Sequence, residues 1–110
     1  MTLTIQPSAV DTIIFACEAG MGSSLMSVNS LKKLFKKANI TTVSIVHKPA
    51  REIPANAQLV IVHKGLAKVA RSKAPQAVVI TFNHFLNDPV FSQVVDAFVS
   101  GKPIEDMTGA

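Results

Sequence analysis

The sequence predicts an α/β domain: three layers, α/β/α, with a four-stranded parallel sheet at the centre. Two observations carry that expectation. Four short apolar runs rich in β-branched residues alternate with three stretches whose apolar residues recur at helical spacing. The first run, Thr12 to Ala16, is apolar almost throughout, as a strand covered on both faces has to be.

Taken in order, residues 1–11 read as a loose lead-in and Thr12 to Ala16 as the first strand. The first helix is expected from Ser23 to Ala38, with Ser23 or Ser24 as N-cap. Leu25, Val28, Leu31, Leu34 and Phe35 form its apolar stripe, and Asn39 ends it. Thr41 to Val46 is the second strand, and Pro49 and Pro54 mark Lys48 to Ala57 as a loop, with room for one short helical turn. A third strand at Gln58 to Val62 leads to a short helix from Gly65 to Ser72, then a fourth strand at Ala77 to Phe82. The last helix runs from Asp88 to Val99, with Val90, Val94, Val95 and Phe98 on its apolar side, and Gly101 and Pro103 stop it. The domain proper is thus residues 12–100, and 101–110 reads as a flexible tail. Right-handed crossovers would bring all four carboxyl ends to one edge, where ligands bind in such sheets.

Composition narrows the function. The chain is 48% apolar, which suits one packed core rather than disorder. No apolar run approaches the ~18 residues of a membrane span. The N-terminus lacks the pattern of a secretory signal, and a single cysteine cannot close an internal disulfide, so a reducing cytoplasmic setting is expected. The net charge of +4 comes largely from Lys32, Lys33, Lys36 and Lys37, which read as a solvated helix face or as a docking surface for an acidic partner. With no Trp or Tyr there is no stacking platform for nucleic acid.

The chemistry concentrates in Cys17-Glu18-Ala19-Gly20-Met21-Gly22-Ser23-Ser24. A strand-to-helix turn of this kind aims successive N–H groups, and the positive end of a helix, at one spot. An anion can bind there, and a thiol at its mouth ionises more easily. Rival motifs fail. The dinucleotide fingerprint would need Gly or Ala at Leu25 and an acid where His47-Lys48 stands. A triphosphate P-loop would need Gly-Lys-Ser/Thr, a redox dithiol a second cysteine, and a metal site His or Cys at ligand spacing. Lone cysteines mostly serve packing, yet one kept for packing belongs inside the strand rather than at its exit. A cysteine phosphatase carries Arg after Cys and five residues; that position is Ser23, and no arginine lies in the loop. A phosphoryl carrier needs thiolate and cradle without efficient hydrolysis, so the absent arginine suits it. Gly20 and Gly22 permit close backbone approach, or serve only the tight turn. Met21 is expected as a loop-tip contact. His63 with Lys64 follows the third strand and could steady a phosphate or merely cap; His47 and His84 read as structural or surface residues.

The string Cys17 to Ser24 closely resembles the active-site loop of the B domain of mannitol-type permeases of the bacterial phosphoenolpyruvate-dependent phosphotransferase system, with Glu18 where that family usually has Asp. Ile53 to Lys64 and Asn83 to Asn87 resemble further family segments, so the likeness covers roughly residues 12–99. The resemblance implies a fold like that of low-molecular-weight tyrosine phosphatases. It implies that Cys17 accepts a phosphoryl group from a phosphohistidine of the A component (IIA). Cys17 would then pass the group to a sugar alcohol held by the membrane component (IIC). In that picture Glu18, Ala19, Gly20, Met21, Gly22, Ser23 and Ser24 form the phosphate cradle. His63 and Lys64 are accessory candidates, and neither cofactor nor metal is needed. The domain itself would stay out of the bilayer, at the inner face of the membrane.

Overall fold

A computed structural model describes residues 4–17, 22–82 and 89–105. The elements run β1 (Thr4–Ile5), β2 (Thr12–Cys17), α1 (Gly22–Lys37), β3 (Ser44–Pro49), β4 (Leu59–His63), α2 (Ala67–Lys73), β5 (Val78–Phe82), α3 (Pro89–Ser100) and β6 (Ile104–Glu105). Single 3-10 turns occupy Pro7–Ala9, Ala50–Glu52 and Lys64–Leu66. β3, β2, β4 and β5 form a sheet in that order, and it is four-stranded and all parallel, as the sequence predicts.

Strand alternation divides the core in two. Ile13, Phe15, Leu59, Ile61, Val78, Ile80 and Phe82 face one way and pack against Val28, Leu31 and Phe35 of α1 and Val90, Phe91, Val94 and Val95 of α3. Ile14, Ala16, Val60, Val62 and Val79 face the other way, against Ala50, Ile53, Ala70, Ala74 and Ala77. Small alanine side chains make up most of the α2 side of this second cluster. Every β4 residue from Leu59 to Val62 is buried, which is why this segment carries no polar alternation.

α1 ends in a Schellman turn. Asn39 adopts φ 61°, its N–H reaches Lys36 O at 3.0 Å, and Ile40 N–H reaches Phe35 O at 2.9 Å. Lys32, Lys33, Lys36 and Lys37 are all exposed on this helix. Gly101 closes α3 in the same region of backbone space, at φ 74°, donating to Ala97 O at 2.9 Å.

Two expectations shift. The second strand begins at Ser44 rather than Thr41 and runs on to Pro49. Its ladder starts only where β2 offers a partner, at Thr12↔Ser44, so Thr41 to Val43 are spent returning from α1 despite their β propensity. Pro49 is tolerated because β3 is an edge strand. Residues 4–5 and 104–105 also differ from the expected loose lead-in and flexible tail: Thr4↔Glu105 and Ile5↔Ile104 pair as a small antiparallel sheet. Ile104 is 4% exposed and joins the larger core, giving the pairing an apolar anchor.

Candidate functional site

The site follows from strand order. The β2→α1→β3 connection leaves β2 in one direction along the sheet, whereas β4→α2→β5 continues in the other. Right-handed crossovers then place α1 and α2 on opposite faces, as the two core clusters show. The neighbours at this reversal are β2 and β4. A crevice opens at the carboxyl ends of such a pair, and ligands of open α/β sheets bind there. β2 ends on Cys17 and β4 on His63.

Cys17 is the last residue of β2, with Pro49 of β3 as its ladder partner on one side. On the other side the β2–β4 ladder runs from Ile13↔Leu59 to Ala16↔Val62, so His63 is the β4 residue next in step with Cys17. α1 starts at Gly22, only five positions later, with its N-terminus directed to the same edge. Ser23 and Ser24, expected as N-caps, lie instead in the first turn of α1. The backbone N–H groups of that turn are among the four that a helix leaves without internal partners. Glu18, Ala19, Gly20 and Met21 fall outside the described residues, as do the side chains of Cys17, Ser23 and Ser24. His84 and the segment Asn83 to Asp88 fall outside as well.

His63 has a defined job. Its backbone stands at φ −61° and ψ 142°, the N-cap of the Lys64–Leu66 turn, and its Nδ1 accepts the Gly65 N–H at 3.2 Å. The ring lies edge-on to Phe82, with centroids 5.6 Å apart and planes at 84°. Phe82 in turn packs on Phe15 at 5.3 Å and on Phe91 at 5.4 Å, so the imidazole rests on a buried aromatic cluster. The capping role left open by the sequence is therefore occupied. His47, exposed on β3, meets the other side of that cluster, edge-on to Phe15 at 6.5 Å. It stays a surface histidine with an aromatic contact. Lys64 is exposed within the 3-10 turn.

Lys48 lies in the last pair of β3 residues, and Arg51, Lys64 and Lys68 follow the ends of β3 and β4, against Glu52 among the described residues there. Among the described residues basic side chains outnumber acidic ones at this edge, which favours an anionic ligand. Among the described residues no group of three His, Cys, Asp or Glu side chains is placed to hold a metal ion. Among them, too, no helix is long and apolar enough to cross a membrane.

Sequence reasoning missed one residue that positions this frame. Gln58 Oε1 accepts the Asp11 N–H at 2.8 Å and the Thr12 N–H at 3.4 Å, while Nε2 donates to Ala9 O at 2.7 Å. Gln58 thereby clamps the entry of β2 to the entry of β4. No local pattern announces it, because its partners lie 46 to 49 residues away.

Residues 12–104 match the family described as the PTS system, lactose/cellobiose-specific IIB subunit. Among curated proteins, the mannitol-specific EIICB component of the PTS system from Staphylococcus haemolyticus is 43% identical over 89 residues, 81% of this chain. The Bacillus subtilis protein of the same description is 38% identical over 92 residues, 84% of this chain. The chain spans only 17% and 19% of the length of these two relatives. The match covers the whole parallel sheet, its helices and the edge that carries Cys17 and His63. By that match the chain belongs to the IIB family of the phosphotransferase system.

Proposed function

We propose that this domain is a phosphoryl carrier in sugar uptake and that Cys17 is its phosphorylated residue. The observation that supports this best is the position of the chain's only cysteine: the carboxyl end of β2, at the strand-order reversal, just before the N-terminus of α1. A thiol just before a helix N-terminus ionises more readily than a free one, which favours thiolate at neutrality.

In the first step the Cys17 thiolate attacks the phosphorus of a phosphohistidine on the IIA component. The P–S bond forms as the P–N bond breaks, and the imidazole nitrogen leaves with the electron pair. In the second step a hydroxyl oxygen of the sugar alcohol, held by the IIC component, attacks the same phosphorus. The P–S bond breaks, the thiolate returns, and the hydroxyl proton passes to a general base of the acceptor protein. Glu18 through Ser24 supply the cradle for the transferred group through backbone amides, with the Ser23 and Ser24 hydroxyls as further donors. Fixed amides stabilise that charge without reorganising. Mannitol is the sugar alcohol of choice, since the relatives above are mannitol-specific by description. The domain then works at the inner face of the membrane, beside IIC.

The test is intact mass spectrometry after incubation with phosphoenolpyruvate, the two general phosphotransferase proteins and a IIA component. One added phosphoryl group is expected, absent in Cys17→Ser. A wild-type protein that takes up no phosphoryl group refutes the carrier reading, and rapid turnover of an aryl phosphate would point to a phosphatase instead.

A further inference from the structure

We propose that the basic residues flanking the end of β2, namely Lys48, Arg51, Lys64 and Lys68, form the docking surface for the phosphoryl donor, and that they receive an acidic face surrounding its phosphohistidine. The inference rests on the carrier reading above and names the surface at which the donor engages.

Placement comes from sheet order. β3 and β4 are the two neighbours of β2, so whatever follows each of them flanks the end of β2. Lys48 is the ladder partner of Ala16, and Arg51 stands two residues beyond Pro49, the partner of Cys17. Lys64 is the first residue after β4, and Lys68 follows four positions on, in the first turn of α2. The two groups share one side of the sheet, because the Ala50–Glu52 turn packs on α2 and Ala50 and Ala70 belong to one core cluster. Arg51, Lys64 and Lys68 are exposed. Glu52 is the sole acid in the sequence from Lys48 to Ala77.

The incoming group sets the sign of the partner. A phosphohistidine carries its phosphoryl group as an anion, and in the carrier reading that anion has to reach this edge. Basic residues around the point of arrival speed such an encounter and disfavour partners of like charge. The larger lysine row of α1 is too remote to do this. α1 packs on the other side of the sheet, starts at this edge and runs away from it. Lys32 lies ten residues beyond Gly22, about 15 Å along the helix axis, and Lys33, Lys36 and Lys37 lie farther still. That exceeds the ~8 Å Debye length at physiological ionic strength, so their charge is screened from the edge. Of the two roles the sequence leaves open for these lysines, the fold supports the solvated face.

The test measures the initial rate of Cys17 phosphorylation against IIA concentration, at low and at high salt. In Arg51→Gln/Lys64→Gln/Lys68→Gln, KM for IIA is expected to rise about 10-fold at low salt with kcat unchanged, the lower end of what electrostatic steering supplies. The difference should shrink at high salt, where wild type loses the same attraction. Lys32→Gln/Lys33→Gln/Lys36→Gln/Lys37→Gln removes one charge more, yet KM should stay within about 2-fold of wild type because those charges are screened. All seven side chains are exposed, so both variants should unfold like wild type. An edge variant with wild-type KM, an α1 variant with the same loss, a fall in kcat alone, or wild-type transfer indifferent to salt overturns the docking surface while the carrier reading stands. Normal transfer from IIA with slowed transfer onward to a sugar alcohol in IIC vesicles overturns it too, and assigns the surface to the acceptor. Wild-type protein that accepts no phosphoryl group overturns both.

Discussion

Replacing Gln58 by Ala removes the clamp between the β2 and β4 entries, and its cost can be worked from three distances. The bonds at 2.8 Å to the Asp11 N–H and 2.7 Å to Ala9 O are well formed; the third, at 3.4 Å to the Thr12 N–H, lies beyond the usual range and counts for little. At about 0.5–1.5 kcal/mol net for each good bond, the loss is about 1–3 kcal/mol. Asp11 is exposed and Thr12 only half-buried, so water reaches the freed groups and the lower half of that range applies. About 1–2 kcal/mol corresponds to a fall in Tm of roughly 5–10 °C for a domain of this size. Urea unfolding followed by circular dichroism should show the midpoint falling at constant slope. The Asp11 amide should also exchange faster with solvent. Gln58→Glu keeps the acceptor and sets an oxygen against the Ala9 carbonyl, so the Ala9 bond gives way to a repulsion and the midpoint should again fall below wild type. The Gln58 main chain is no confounder, because its carbonyl accepts the Val78 N–H at 3.1 Å in any variant. A midpoint unchanged in Gln58→Ala, together with unchanged exchange at Asp11, would refute the clamp.

Other substitutions test other links. Phe15 is fully buried and touches both Phe82 and Phe91, so Phe15→Ala should cost about 3–5 kcal/mol, read from the same urea curves. That is a large part of the roughly 5–15 kcal/mol that holds a domain of this size together. Asn39 sits at φ 61°, where glycine is free of strain and a β-branched residue is not. Asn39→Gly should leave Tm unchanged or raise it, whereas Asn39→Val should lower stability by about 1–2 kcal/mol through the left-handed backbone. A valine variant as stable as wild type would mean that α1 ends some other way.

Much of the molecule is legible from local pattern. Short apolar runs and the 3.6-residue spacing of the helical stripes place four strands and three helices in the right order. The lone cysteine before a Gly/Ser turn marks the edge to watch. Asn39 and Gly101 are found as helix stops because left-handed backbone has few occupants. These signals are local, since each element is written in the residues that form it.

Contacts between distant segments needed the tertiary structure. Thr41 to Val43 have the composition of a strand but no partner there, and only the β2–β3 register shows the ladder starting at Ser44. The segments at 4–5 and 104–105 look unstructured until Ile104 meets a core assembled by the rest of the chain. Gln58 looks like any polar residue at a strand entrance until the fold brings Ala9, Asp11 and Thr12 to it. His63 looks like either a ligand or a surface histidine. The β2–β4 ladder ends at Ala16↔Val62, one residue before Cys17 and His63, and the turn that follows ties down one of the two His63 nitrogens. Secondary structure depends on neighbours along the chain, whereas register, clamps and the orientation of a ring depend on which distant groups arrive beside them.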